Sequence, residues 1–334
     1  MTMKQWIICL GASLLMGTAF AQQPIVIKFS HVVAANTPKG EAAEYFRKEA
    51  EARTKGRVQV RVYANSTLYK DKEELEALQM NSVQMLAPTF SKFGPLGIKE
   101  FEVFDLPYLF DNLDEARRVT QGPIGSQLLA KLSTRGVVGL AFWDNAFKQM
   151  TANAPLRRAE DFRGKKLRIQ SSKVLDSQMR ALGAMPQVMA FSEVYQALQT
   201  GVVDGQENPA SNIYTQKFYE VQKYLTITDH GYHGYVLVAN KNFWDALPAD
   251  IRQILDGVVK DTTEYFYKVA QKDEQEALAS IKASGRTQVV SLKPEEKLEL
   301  KKSLMKVHRE TEPRVGKELL ESIYREAGFS PEKL

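Results

Sequence analysis

Residues 164–170, Gly164-Lys165-Lys166-Leu167-Arg168-Ile169-Gln170, read as a glycine turn followed by a short strand. Leu167 and Ile169 share one face by two-residue alternation, and Arg168 falls on the other. Downstream, Ala190-Phe191-Ser192-Glu193-Val194-Tyr195-Gln196-Ala197-Leu198-Gln199-Thr200-Gly201 reads as a helix. Ser192 suits its N-cap, Glu193 its positive end and Gly201 its stop. Asp204-Gly205-Gln206-Glu207-Asn208-Pro209 then reads as a tight polar turn leading into a further helix. An arginine at a strand end, an aromatic at a helix entrance and an amide at a turn are thus expected to converge. A guanidinium fork is built to hold a carboxylate through two parallel hydrogen bonds. Spacing alone also allows a structural salt bridge for Arg168, and for Asn208 an N-cap role before Pro209.

The run from Met189 to Pro209 resembles the signature of TRAP-transporter solute-binding proteins of the DctP type. Lys166-Leu167-Arg168 and Gln216-Lys217-Phe218-Tyr219-Glu220-Val221-Gln222-Lys223-Tyr224 match that family as well. The opening Lys28-Phe29-Ser30-His31-Val32-Val33-Ala34-Ala35-Asn36-Thr37-Pro38-Lys39-Gly40 is similar to its C4-dicarboxylate branch. The resemblance implies an α/β fold of the two-domain periplasmic-binding-protein (Venus-flytrap) kind, with one long helix lying across both domains. It implies that Arg168 clamps a ligand carboxylate and that Asn208 helps. It also places Lys148 where many members carry arginine; lysine keeps the charge but loses the planar fork. Lys148 is therefore expected to assist Arg168, and Phe191 to pack against the ligand's carbon skeleton.

With 334 residues, two domains are expected. A 44% hydrophobic and 25% charged composition suits a folded soluble protein. The net charge of +5 is spread among mixed signs without a long basic run. Nucleic acid is therefore not an expected partner, and the bias suits an anionic ligand. Lys4, the apolar stretch from Trp6 to Met16 and Ala19-Phe20-Ala21 form a secretory signal, with the mature chain beginning at Gln22. The single cysteine, Cys9, lies inside that signal, so the exported chain carries neither disulfide nor thiol chemistry. A periplasmic location follows.

Along the chain, Ile25 to Ser30 reads as a buried strand. Thr37-Pro38 starts a helix to about Lys55, closed by Gly56. Val58 to Tyr63 alternates as a half-buried strand, a helix covers about Lys72 to Asn81, and Val83 to Ala87 is a short strand ended by Pro88. In parallel α/β sheets the ligand sits beyond the C-terminal strand ends. The rule points to His31, Lys39, Thr89 and Ser91; Thr89 and Ser91 share one strand parity towards the cleft. Aromatic residues 101–110 read as core. Helices are expected over 113–121, 123–134, from Pro248 to about Ala283 and from Pro294 to near Gly328. Strands are expected over 137–141, 235–240 and 287–290. Residues 143–150 are expected to cross between domains and Tyr232 to Tyr235 to turn the chain back, giving a two-stranded hinge. The expected partition is a signal at 1–21, domain I at 22–146 and 235–275, and domain II at 147–234 and 276–334. His230 and His233 lie three apart, but no third metal ligand accompanies them in sequence, and no metal or other cofactor is expected.

The function expected is capture of a C4-dicarboxylate (succinate, fumarate or malate) and its delivery by a monomer to a TRAP membrane permease. One carboxylate would go to Arg168, Lys148 and Asn208, the other to Lys39, Thr89 or Ser91. The same fold could serve a 2-oxo acid or a sugar acid, or present its ligand to a sensor. An exported hydrolase is disfavoured: the sequence has no His-Glu-x-x-His, Gly-x-Ser-x-Gly or Gly-x-Gly-x-x-Gly motif.

Overall fold

A computed structural model describes residues 23–331; the signal segment and Cys9 lie outside them. Nine strands form one sheet: β1 Ile25–Ser30, β2 Val58–Tyr63, β3 Met85–Leu86, β4 Val137–Ala152, β5 Lys166–Ile169, β6 Met185–Val188, β7 Gly205–Asn208, β8 Tyr224–Asn240 and β9 Gln288–Ser291. Their order is β2-β1-β3-β8-β4-β7-β5-β6, with β9 added to β8. β1, β2 and β3 pair in parallel at one end and β5, β6 and β7 at the other, as strand–helix alternation predicts.

The connection between the two ends departs from expectation. β4 and β8 are antiparallel strands of 16 and 17 residues, paired from Val137–Asn240 to Ala152–Tyr224. Residues 143–150 and 232–235 therefore lie inside continuous strands, and Tyr232 to Tyr235 do not turn. β3 pairs with Val238 and Ala239, whereas β7 pairs with Gln149 to Ala152. The middle of the ribbon, where the register shifts at 144/146 and 148/150, joins the two halves. The expected boundaries at 146/147 and 234/235 fall within it, and that at 275/276 within the long helix Ala249–Ser284. Alternation failed to reveal this length because β8 is buried on both faces along most of its course, including at Thr228, His230 and His233.

Two further readings are corrected. Gly205–Asn208 is a buried strand between β4 and β5, not a turn. Its polar side chains are accommodated because Gln206 donates to Thr151, Glu207 pairs with Lys148, and Asn208 donates to Gln206. Ser192 is not an N-cap: a 3₁₀ turn over Phe191–Glu193 precedes the helix Val194–Gln199, which has no side-chain cap. Helix Ala210–Thr215 likewise has no side-chain cap from Asn208.

Helix Pro38–Arg53 starts as predicted, with the Thr37 hydroxyl accepting from the Gly40 amide. A side chain on Gly40 would collide with the carbonyl oxygens of Ala34 and Ala35, so glycine allows this first turn to sit tight against the β1 loop. The long helix Ala249–Ser284 spans 36 residues. Its residues 251–270 pack into the core built on β1, β2 and Trp143. Ala277 and Ile281 join the core around Phe191, Ile213 and Phe218. The helix thus lies against both halves. The C-terminal region is two helices, Pro294–Val315 and Lys317–Ala327, separated at Gly316 with φ +96°. They pack with the aromatic segment 101–110 in a third core, which also takes Leu167 and Ile169 of β5.

Candidate ligand-binding site

The C-terminal ends of β1 and β3 face the parallel strands of the other half across a cleft. Its cavity is lined by Lys39, Asp71, Glu74, Thr89 and Lys92 from one side, with Gln170, Phe191, Asn208 and Asn212 from the other; His233 and Tyr235 form the floor. Its volume of about 20 Å³ is room for about one water, so the halves stand closed on each other. Larger hollows lie elsewhere but have the wrong chemistry for an anion. One of about 290 Å³ carries Asp229 and Glu274; a groove of about 450 Å³ carries Asp256 and Glu264 with a single lysine.

Arg168 is fully buried behind Phe191, its guanidinium carbon 5.7 Å from the ring centroid. Nε and Nη2 donate to the Met189 carbonyl at 3.1 and 2.9 Å, and Nη2 lies 3.8 Å from the Asp71 carboxylate. Nη1 has no hydrogen-bond partner among the described residues. Arg168 is thus neither a surface ion pair nor fully committed to an internal acid. Asn208 reaches the cavity while its Oδ1 accepts from Asn212 at 3.1 Å.

Lys148 does not line the cavity. It is buried against Glu207 at 2.8 Å, and Glu207 also meets His230 Nε2 at 2.8 Å. Burial pushes the Glu207 carboxyl up, but Lys148 and His230 outweigh it and hold it at about 2. Lys148 therefore supports the strand carrying Asn208, and its field reaches the cleft indirectly.

Of the residues expected on the other half, Lys39 and Thr89 line the cavity. Lys39 donates to the Ala87 carbonyl at 3.0 Å and sits 3.9 Å over the Tyr235 ring. Thr89 donates across the cleft to Gln170 at 2.8 Å. Ser91 points away, donating to Asp105 at 2.8 Å, because residues 90–92 form a 3₁₀ turn in which strand parity does not apply. His31 is buried beneath the cleft without a side-chain partner; burial and nearby Lys39 lower it to about 3, so it is neutral.

Sequence reading missed Asp71, Glu74 and Lys92. Lys92 is the residue next to Ser91, turned inward by that same 3₁₀ turn. Asp71 is a hub. It meets Lys92 at 2.6 Å and accepts from the Phe191 amide of the opposite half at 3.1 Å. Burial raises its carboxyl, but Lys92, Arg168 and the hydrogen bonds outweigh this and leave it below its ordinary value. His230 and His233 do not share a ligand: His230 serves Glu207, while His233 faces the cavity, held neutral by burial and nearby lysines.

A cleft between two α/β halves, with cations on both sides and a long helix behind, is the arrangement of a capture protein for a small anion. The family model for bacterial extracellular solute-binding protein, family 7 (DctP), matches residues 29–314. The chain belongs to this family. Its similarity to the C4-dicarboxylate-binding periplasmic protein DctP of Rhodobacter capsulatus is 55% identity over 311 residues, covering 93% of each chain. A TRAP periplasmic solute-binding protein from Shewanella oneidensis with bound succinate superposes with a TM-score of 0.89 at 42% identity, over 91% of this chain and 99% of that one. One from Pseudomonas aeruginosa with bound L-malate gives 0.84 at 41% identity, over 86% and 100%. Among its described residues, this family-7 chain has no helix long and apolar enough to cross a membrane.

Proposed function

We propose that the protein is the periplasmic binding component of a TRAP transporter, capturing a C4-dicarboxylate and handing it unchanged to the membrane permease. The observation that carries this reading is the buried Arg168 guanidinium behind the cavity-lining Phe191, with Nη1 unpartnered among the described residues. A buried cation without a full set of acceptors is costly, and a carboxylate arriving there recovers that cost through charge-assisted hydrogen bonds. Asn208 and Asn212 add amide donors on the same side, while Lys39, Thr89 and Lys92 face the second carboxylate. Phe191 packs along the carbon skeleton. A four-carbon diacid is far larger than one water, so the halves part to admit it and close over it. Dicarboxylate-binding relatives at high identity support the ligand class.

Thermal melting of the mature protein with succinate, fumarate or malate tests the reading. At a hundredfold excess over Kd the ligand adds about 2.7 kcal/mol by mass action, a rise of several degrees. No shift with any of the three rejects the dicarboxylate reading.

A further inference from the structure

Two acids line a cleft meant for an acid, and their surroundings differ. Asp71 is matched by Lys92, Arg168 and the Phe191 amide. Glu74, on the short helix Glu74–Gln79, is buried at 2% exposure and lines the same cavity. Burial and through-space charges act on its carboxyl, with no hydrogen bond to it among the described residues. The groups facing it are Lys39 from helix Pro38–Arg53, Asp71 from the preceding loop and Lys92 from the 3₁₀ turn. His233 and Tyr235 of β8 share the cavity, Arg168 lies behind Phe191, and His31 lies below Lys39. Lys39, the nearest cation in effect, spends its ammonium on a carbonyl and an aromatic face instead of on Glu74.

With Glu74 ionised and Lys39, which burial lowers to about 8, protonated, Lys39, Lys92 and Arg168 against Asp71 and Glu74 leave the ligand-free cleft one positive charge in excess. A dianion turns that into one negative charge, inside a space that admits little water. A buried like-charge excess of this kind is relieved by taking up a proton at the least stabilised carboxylate. We infer that Glu74 is a specificity-determining residue: a doubly charged dicarboxylate enters together with one proton from solvent, which Glu74 takes, and the neutral carboxyl then donates its O–H to the ligand. The inference rests on the dicarboxylate reading above. It explains how an acid can line a dicarboxylate site without repelling its ligand, and why a singly charged acid would gain less there.

Burial already lifts Glu74 to about 7, against the opposing pull of Lys39. Ligand charge lifts it further, so uptake falls between the free and bound values. Below neutrality Glu74 is protonated beforehand, and affinity is flat until the ligand's own carboxylates begin to protonate. Above it, Kd rises towards tenfold per pH unit.

Calorimetric titration of the mature protein with succinate at about pH 8, in buffers of different ionisation heat, reads the protons taken up; the linkage predicts close to one per ligand from Glu74, besides any taken up at Lys39, which burial lowers to about 8, with the Glu74 share falling towards zero at about pH 6. Infrared difference spectra identify the acceptor. Succinate binding should produce a protonated-carboxyl band that shifts with ¹³C-glutamate labelling and vanishes in Glu74→Gln. The labelled wild-type protein gives the same answer should that variant not fold. Binding without proton uptake, or a band indifferent to glutamate labelling, overturns the inference and leaves the ligand reading standing. No binding of succinate, fumarate or malate overturns both.

Discussion

Arg168 and Lys148 are two buried cations with opposite commitments, and their variants should separate. Arg168→Ala removes the buried guanidinium whose Nη1 has no partner among the described residues, so the succinate-induced melting shift should vanish. It also strips Asp71 of one neighbour while Lys92 remains at 2.6 Å, so the ligand-free protein should lose only about 1–3 kcal/mol. Arg168→Lys keeps the charge without the fork and should recover little of the shift. Lys148→Met behaves differently. It leaves Glu207 buried with His230 as its remaining partner, and breaking a buried pair costs about 3–5 kcal/mol. Urea unfolding should show that loss without ligand. If Lys148→Met is as stable as the wild type and only binding suffers, Lys148 touches the ligand directly. The residue type alone could not tell these two cations apart, because both are basic residues with apolar neighbours in strands. What separates them is that Lys148 pairs with Glu207 across the sheet, whereas the strand partners of Arg168 are Gln187 and Gln206.

Elements with strong local chemistry were legible. Helix Pro38–Arg53 announced itself through Thr37-Pro38, and Ala249–Ser284 through Pro248 and a long 3.6-residue pattern closed at Gly285. β7 was not, because Gly205-Gln206-Glu207-Asn208 has no apolar residue, and its burial depends on partners far off in sequence. β6 is too short to show a period, whereas the helix expected after Pro209 is there as Ala210–Thr215. That last helix is held from outside: Glu274 of the long helix accepts from the Ala210 and Ser211 amides at 2.8 and 2.9 Å. Glu274→Ala frees two amide donors and should cost about 1–2 kcal/mol, with weaker ligand binding because Asn212 rides on the loosened turn. In the C-terminal pair, His308 takes a hydrogen bond from Tyr324 and donates to the Pro107 carbonyl, both at 2.8 Å. Burial lowers it to about 4, against about 6.5 in the unfolded chain. Its contribution is whole above pH 6.5 and is lost as pH falls towards 4, at about 1.4 kcal/mol per unit. His308→Gln can keep both hydrogen bonds without titrating, so its stability relative to the wild type should improve by that slope between pH 6 and 5.

Across the whole molecule, closure is held by a few contacts from one half to the other: Asp71 to the Phe191 amide, Thr89 to Gln170, and Lys70 to Glu193 at 2.7 Å. The last is exposed and outside the cavity, so Lys70→Ala alters the open–closed balance without touching the ligand. An exposed pair contributes little to stability, and the calorimetric Kd should rise no more than about two- to fivefold. An unchanged Kd would mean that Lys70 and Glu193 meet without consequence. The two halves were predictable as separate α/β units; that they share one sheet was not, because no short window of sequence reveals a 17-residue strand serving both. That shared ribbon decides how the swing would look in solution. A joint made of paired backbone stays bonded while it flexes, so its amides should take up deuterium slowly with or without succinate. The protected-on-binding signal should come instead from 70–72 and 189–193 at the lips, and a mobility map built on exchange alone would mistake the pivot for the stillest part of the protein.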